Sequence, residues 1–238
     1  MKTIATEFNV RQAGERGHAN HGWLDTHYTF SFADYYDPAH MGFRSLRVIN
    51  DDRIAPGQGF GTHPHRDMEI FSYVLEGTIE HKDSLGNGRQ LKPGQIQLMS
   101  AGRGVTHSEF NPSRNEPLHL LQIWIQPRER GLPPSYTEWQ PKPEHDHAPK
   151  VLVISPDGRD GSATIHQDAD IYRIRLKSGQ SVTHDLKPGR GAWLQIANGA
   201  LTFNGVALTT GDGVSTEEPG IITLTATQPT EAFLLDLN

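Results

Sequence analysis

Short runs of apolar residues alternate with polar ones along the first half of the chain, and glycine or proline separates one run from the next. This period-two alternation is typical of half-buried β-strands. No stretch repeats apolar residues at helical spacing over a useful length. The pattern predicts strands at residues 27–32, 43–49, 68–75, 95–99 and 118–125.

The second half of the chain returns to the same alternation after residue 150. Asn198-Gly199 and Asn204-Gly205 are typical of tight hairpin turns. Residues 196–202 also resemble residues 74–80, which indicates a duplicated fold. We therefore predict an all-β protein with two barrel or sandwich domains. The predicted strands of this half are residues 151–154, 171–176, 192–196, 200–203, 221–225 and 232–237.

A proline-rich segment separates the two halves. Residues 131–150 hold five prolines and few aliphatic side chains, and Tyr136 and Trp139 are their large anchors. Such a composition is typical of a connection that packs along the surface. We predict an N-terminal domain at residues 1–130, a connector at 131–150 and a C-terminal domain at 151–238.

Composition narrows the classes of function. The 238 residues include no cysteine, which excludes thiolate metal ligands and cysteine nucleophiles and fits a reducing compartment. The net charge is −6 with neutral histidines, and no stretch is strongly basic, which disfavours direct binding of nucleic acid. No window approaches the roughly 20 apolar residues of a membrane span, and residues 1–10 lack the apolar core of a signal peptide. We expect a cytoplasmic protein.

Two pairs of polar residues with the same spacing give the strongest functional signal. His63 and His65 are separated by one residue, and so are His107 and Glu109. Residues two apart on a strand point to the same face, so two neighbouring strands would direct three imidazoles and one carboxylate at one point. This donor set suits a divalent transition metal and leaves coordination positions open for chemistry.

Two histidines and one glutamate test how selective this pattern is. His145 and His147 share the spacing, but they lie in the proline-rich segment without a second pair, so we expect them on the surface. Because a strand advances about 3.3 Å per residue, Glu69 lies about 13 Å beyond the first histidine pair, whereas Glu109 lies about 7 Å beyond its own histidine. Glu69 is then either a partner of a ligand or an incidental charged residue near the barrel.

The residues around both pairs resemble the two motifs of the cupin superfamily. The motif residues are Gly57, His63, His65, Glu69 and Gly77, followed by Gly104, His107 and Asn111. Wider segments resemble the pirin family of that superfamily: Arg16-Gly17, Gly22-Trp23-Leu24-Asp25-Thr26, Phe30-Ser31-Phe32, Tyr35-Tyr36-Asp37-Pro38, His63-Pro64-His65-Arg66 and Met99-Ser100-Ala101-Gly102. The resemblance implies a bicupin, with two jelly-roll β-barrel domains and one metal in the N-terminal barrel. It implies Glu109 as the fourth ligand and iron(II) as the first choice of metal, while manganese, cobalt, nickel, copper and zinc suit the same donors.

Bacterial members of the pirin family similar to this chain include flavonol-cleaving quercetinases, which implies a first hypothesis. A flavonol such as quercetin would bind the metal through its 3-hydroxyl group, Glu109 would accept the proton as general base, and dioxygen would open the ring with release of carbon monoxide. A second hypothesis is an iron-binding regulatory protein of the pirin type that acts through a protein partner. A third is a different cupin enzyme, an isomerase or a dioxygenase with another substrate. Five aromatic residues would line a flat pocket or pack in the core: Trp23, Phe30, Phe32, Tyr35 and Tyr36.

Overall fold

The computed structural model describes residues 8–238, which form strands, turns and loops without an α-helix. Three short 3-10 turns lie in this range, at Ala13–Glu15, Pro143–Asp146 and Arg159–Gly161. None of the helical segments between residues 8 and 238 is long and apolar enough to cross a lipid bilayer. Residues 1–7 lie outside the described residues. They are the start of the predicted N-terminal domain and part of the segment, residues 1–10, that lacks the apolar core of a signal peptide. The predicted all-β fold is confirmed.

Strands of three to nine residues account for most of the first half. In chain order they are β1 (Asn9–Arg11), β2 (Gly17–Asn20), β3 (Leu24–Tyr28), β4 (Leu46–Ile54), β5 (Gly59–His65), β6 (Glu69–Glu76), β7 (Ile79–Asp83), β8 (Gly88–Leu91), β9 (Ile96–Ser100), β10 (Val105–Phe110), β11 (Leu118–Ile125) and β12 (Ser135–Trp139). The prediction for 118–125 matches β11, but β4 continues to Ile54 instead of ending at residue 49. Its second half was not predicted because polar residues occupy it, and two of them face the interior.

The second half contains ten strands that follow the predicted ones closely. They are β13 (Lys150–Ser155), β14 (Ala163–Thr164), β15 (Ala169–Leu176), β16 (Ser181–Leu186), β17 (Gly191–Asn198), β18 (Ala200–Phe203), β19 (Val206–Thr209), β20 (Gly213–Thr216), β21 (Gly220–Ala226) and β22 (Thr230–Leu237). Each of the six predicted strands overlaps one of these, and the prediction for 200–203 coincides with β18.

Each half folds into a seven-stranded sheet that faces a four-stranded sheet. The first domain has the orders β12-β9-β6-β11-β4-β3-β2 and β5-β10-β7-β8. The second domain has the orders β1-β20-β17-β22-β15-β13-β14 and β16-β21-β18-β19. The two arrangements correspond strand by strand, with β6 in the place of β17 and β5 in the place of β16. This correspondence agrees with the similarity between residues 74–80 and 196–202, which lie in matching β-turn-β units.

Two edge strands join sheets to which the sequence did not assign them. β1, near the start of the chain, pairs with β20 of the second domain. β12 lies inside the predicted connector and pairs with β9 of the first domain, from Ser135 opposite Ser100 to Trp139 opposite Ile96. The proline-rich segment 131–150, for which we predicted only a connection along the surface, therefore contributes a strand to the first domain. Local sequence did not reveal this strand because a short edge strand depends on a partner far away in the chain.

Apolar side chains fill each barrel and the space between the barrels. Within the first barrel, Val74 of the seven-stranded sheet packs in one cluster with Ile79 of the four-stranded sheet. The second barrel has an apolar interior of its own. The outer faces of the two seven-stranded sheets meet in the largest cluster, which includes Phe71 from the first domain and Phe233 from the second. Side chains of alternate parity on β6 and β11 therefore serve two different cores, one inside the barrel and one between the domains.

Candidate metal centre and its cavity

Strands β5 and β10 are antiparallel neighbours, and His63 lies directly opposite His107 in their register. The Nε2 atoms of these two histidines are 3.1 Å apart. The ring of His65 lies 4.7 Å from that of His63 and 4.8 Å from that of His107. The structure therefore brings together the three histidines selected by their spacing, with one ring nitrogen of each within 4.8 Å of the others.

Hydrogen bonds at the Nδ1 atoms of His63 and His107 show that their Nε2 atoms are the free nitrogens. His63 Nδ1 donates to the carbonyl oxygen of Gly61 over 2.7 Å. His107 Nδ1 lies 3.4 Å from His81 Nδ1, and His81 Nε2 lies 3.1 Å from Asp83 Oδ2. Because the Asp83 carboxylate accepts from His81 Nε2–H, His81 Nδ1 is the acceptor for His107 Nδ1–H. The Nε2 lone pairs of His63 and His107 then face each other with no proton between them, which a bound cation would stabilise.

His65 and His107 are neutral at physiological pH. Burial, together with the neighbouring imidazoles of His107 and His63, lowers the pKa of His65 to about 4. Burial, together with His63 and His81, lowers the pKa of His107 to about 3. A neutral imidazole keeps the lone pair that metal coordination requires, so this donor set fits a divalent cation.

Three buried side chains hold the carboxylate of Glu109. Gln122 Nε2 donates to Glu109 Oε2 over 2.7 Å, and Ser72 Oγ donates to Oε1 over 3.2 Å. Gln97 Nε2 also donates to Oε1. Glu109 itself is only 1% exposed. These donors fix the carboxylate in one orientation.

Glu109 approaches the histidine cluster from the side of His107. One carboxylate oxygen of Glu109 and one ring nitrogen each of His107 and His81 lie within 4.8 Å of one another. Glu109 also lines the same cavity as His63 and His65. A bulge in the pairing of β10 with β5 follows His107, so that Glu109 lies opposite Phe60.

Glu69 does not belong to this site. Its Oε2 accepts hydrogen bonds from Ser100 Oγ at 2.7 Å and from the backbone N–H of His166 at 3.2 Å. His166 lies in the second domain, so Glu69 links the two domains. The interpretation of Glu69 as a partner of a ligand is wrong. Its even offset from the histidine pair misled because the chain turns between β5 and β6 at Asp67, which has a φ of 50°, and strand parity does not continue through a turn.

The two histidines of the proline-rich segment, His145 and His147, do not form a metal site. His145 stacks on Trp139 with ring centroids 5.3 Å apart, and its carbonyl oxygen accepts a hydrogen bond from Arg173. His147 is exposed at the end of the same 3-10 turn. Neither takes part in a cluster of potential metal ligands within residues 8–238. Although they share the spacing of His63 and His65, no group of potential ligands forms around them within the described residues.

An aromatic cavity of about 440 Å³ opens beside the histidines. Trp124 borders both, since its ring lies 4.9 Å from that of His65. Two of the aromatic residues considered from the sequence, Trp23 and Phe32, line the cavity, whereas Phe30 packs on Trp193 between the domains. Three further aromatic residues of the lining were not predicted: Tyr28, Phe60 and Trp124. Such walls suit a flat aromatic ligand.

Several polar residues of the site were missed by sequence reasoning. They are Asn50, Ser72, His81, Asp83, Gln97 and Gln122. One signal was present, because Gln97 and Gln122 interrupt otherwise apolar strands at buried positions. A buried polar residue in such a strand needs a partner, so it indicates a site. His81 carried no comparable signal, since four of the five residues of its strand β7 are polar.

A pair of jelly-roll barrels with these histidines on neighbouring strands of the first defines a bicupin with a candidate divalent-metal centre. The family model "Pirin" matches residues 9–125, and the model "Quercetinase C-terminal cupin domain" matches residues 152–237. The chain belongs to the pirin family, as the resemblance implied.

Relatives with known names and structures extend over nearly the whole chain. The chain is 52% identical over 228 residues to quercetin 2,3-dioxygenase of Escherichia coli K12, covering 96% of this chain and 97% of the relative. The crystal structure of YhhW from Escherichia coli has a TM-score of 0.94 at 51% identity and covers 98% of each chain. The crystal structure of the bacterial pirin YhhW in complex with nickel(II) has a TM-score of 0.90 at 51% identity, covering 97% of this chain and 99% of that one. The second structure supports a divalent metal in this fold.

Proposed function

We propose that this protein is a metal-dependent dioxygenase that cleaves a flavonol such as quercetin with dioxygen and releases carbon monoxide. The observation that carries the proposal is the cluster of His63, His65 and His107 at the wall of an aromatic cavity that Glu109 also lines. The name of the Escherichia coli relative supports the same substrate. The reaction needs no external reductant, because both oxygen atoms of dioxygen enter the opened ester, while carbon 3 leaves with its own hydroxyl oxygen as carbon monoxide.

His63, His65, His107 and Glu109 would hold one divalent transition metal. Iron(II) is our first choice, and manganese, cobalt, nickel, copper and zinc suit the same donors. When bound, the metal would act as a Lewis acid on the hydroxyl group of the substrate and as a redox centre for dioxygen. Three neutral histidines and one carboxylate leave a residual charge of about +1, which favours an anionic oxygen ligand.

The side chains around the metal would prepare the substrate. Glu109 would accept the proton of the 3-hydroxyl group, and the donors Gln122, Gln97 and Ser72 keep its carboxylate in place for that transfer. The aromatic walls would hold the flat ring system and limit the access of water.

Metal removal and reconstitution test this proposal. Purified protein is stripped of metal, reloaded in turn with iron, manganese, cobalt, nickel or copper, and mixed with quercetin in air while absorbance and carbon monoxide are followed. We expect turnover with at least one metal, and His63→Ala should lose both bound metal and turnover. His147→Ala, at the exposed histidine of the proline-rich segment, is the matched control and should keep both.

Two outcomes would overturn the proposal. One is turnover by a metal-free variant. The other is full metal loading without loss of quercetin for any of the five metals, which would favour the alternative of an iron-binding regulatory protein of the pirin type.

A further inference from the structure

Three buried polar atoms on one wall of the aromatic cavity have no hydrogen-bond partner. They are Thr26 Oγ1, Asn50 Oδ1 and Asp52 Oδ1. The three residues all line the cavity, and Thr26 and Asp52 are only 1% and 2% exposed. Most buried polar groups in folded proteins are paired, so a group of unpaired ones facing a cavity indicates a missing partner.

Strand pairing makes these atoms one continuous patch. Thr26 of β3 lies directly opposite Asp52 of β4. Asn50 is two residues before Asp52 on β4 and therefore points to the same face. On the other side of β4, Asn50 lies opposite Gln122, whose amide holds Glu109. The patch is thus one strand away from the side chain that orients the proposed general base.

The surroundings of Asp52 disfavour its ionised form, which suits a carboxyl group that forms a hydrogen bond with a neutral ligand group. Burial raises the pKa of Asp52 to about 7, the nearby charges of Asp51 and Glu109 raise it too, and the Thr26 hydroxyl offsets only part of the rise. Thr26 is close to Asp52 but makes no hydrogen bond of normal geometry. A carboxyl group in this setting is able to accept a hydrogen bond from a phenol or to donate one to it.

We propose that Thr26, Asn50 and Asp52 form a subsite that binds the hydroxyl groups on the aromatic ligand other than the one directed to the metal. This inference rests on the proposed function for the class of ligand, and it narrows that class to polyhydroxylated flat aromatic compounds. An analogue without these hydroxyl groups would leave the patch buried and unpaired, and a site built around hydrogen bonds rejects such analogues strongly.

The test compares two flavonols under anaerobic conditions, where no turnover occurs. Quercetin carries several ring hydroxyl groups, whereas 3-hydroxyflavone carries only the 3-hydroxyl group. Binding to the metal-loaded protein is measured by isothermal titration calorimetry. We expect wild type to bind quercetin at least about 10-fold more tightly than 3-hydroxyflavone.

Variants of the patch should remove this preference selectively. Asp52→Leu should weaken quercetin about 10-fold or more and leave 3-hydroxyflavone nearly unchanged, while Asp52→Asn should retain most of the preference because an amide still bonds to a hydroxyl group. Thr26→Val should weaken quercetin several-fold. Thr29→Val is the matched control, because Thr29 Oγ1 is equally buried and unpaired but does not line the cavity. If Asp52→Leu does not fold, Thr26→Val still tests the subsite, since it only replaces one hydroxyl group by a methyl group of similar size.

The outcomes separate this inference from the proposed function. Selective quercetin binding without turnover in air would sink the dioxygenase proposal and leave the subsite standing. Equal affinity of wild type for both flavonols, binding of neither, or equal loss for both in the patch variants would overturn the subsite, whatever the turnover.

Discussion

Asp51 and Asp52 are neighbours on β4, and their carboxyl groups lie on opposite faces of the same sheet. Asp51 accepts from His119 Nε2 at 2.7 Å and pairs with Arg16 at 3.3 Å, whereas Asp52 lines the aromatic cavity. Burial would raise the pKa of Asp51, but its hydrogen bond to His119 and the charges of His119 and Arg16 outweigh this and lower it to about 2. Burial raises the pKa of Asp52 to about 7. Ionised Asp51 therefore stabilises the folded protein, whereas ionised Asp52, the next residue on the strand, destabilises it.

Asp52→Asn should stabilise the metal-free protein at pH 8. An unfolded Asp loses its proton near its ordinary pKa of 3.8, while folded Asp52 keeps it up to about 7. The folded state therefore binds more protons between these values, and the free energy of unfolding of wild type falls as pH rises through them. A neutral amide at this position avoids the cost, so the variant should gain roughly 1–4 kcal/mol at pH 8 and little at pH 4.5. Urea unfolding at both pH values measures the difference, and an equal effect at both would contradict the origin we assign.

Asp51→Asn should have the opposite effect. The pKa of Asp51 is lowered from 3.8 to about 2, so its stabilisation is fully present above the unfolded value and is lost as pH falls through the folded one. We expect the variant to lose about 2–4 kcal/mol of unfolding free energy at pH 7, partly because buried Arg16 would remain without its partner. The same unfolding experiment at pH 7 and pH 3 checks this, and a loss that does not shrink toward pH 3 would refute it.

His81→Phe should weaken metal binding without removing a ligand. His81 accepts from His107 Nδ1 and is itself oriented by Asp83, so its loss frees the ring of His107 to turn. Partners of this kind typically change metal affinity 10- to 100-fold, and we expect about that loss in a competition titration with a chelator. His184→Phe is the matched control, because His184 is a buried histidine that bonds to Asp236 in the second barrel. Wild-type affinity in His81→Phe would show that His107 needs no such support.

Glu69→Ala and Glu109→Ala should show that the two buried carboxylates have different roles. Glu69 accepts hydrogen bonds from Ser100 and from the backbone of His166, so its loss should lower the free energy of unfolding by about 1–3 kcal/mol and leave the metal content unchanged. Glu109→Ala should reduce both metal content and flavonol turnover. Elemental analysis of the purified variants is the measurement. A normal metal content in Glu109→Ala together with a reduced one in Glu69→Ala would reverse the assignment of the two residues.

The histidines of the centre were predictable because coordination requires particular residue types, and strand geometry restricts their spacing. The register that places His63 opposite His107 follows from pairing two short strands whose inner faces carry these residues. The residues that orient the ligands were less accessible. His81 reaches His107 from β7, and nothing in its local pattern distinguishes it from an ordinary strand residue.

The sequence by itself determined the all-β fold, the two similar halves, most strands and the histidines, since alternation and residue type are local properties. Only the tertiary structure placed Glu109 in the cavity beside the histidines and Glu69 at the contact between the domains, because the chain turns at Asp67 and strand parity does not continue from β5 into β6. It also decided that β1 joins the second domain and β12 the first, and that Thr26, Asn50 and Asp52 meet in one patch. Such relations arise when strands distant in the chain pair, and the free energy of that pairing depends on the whole fold rather than on any short segment.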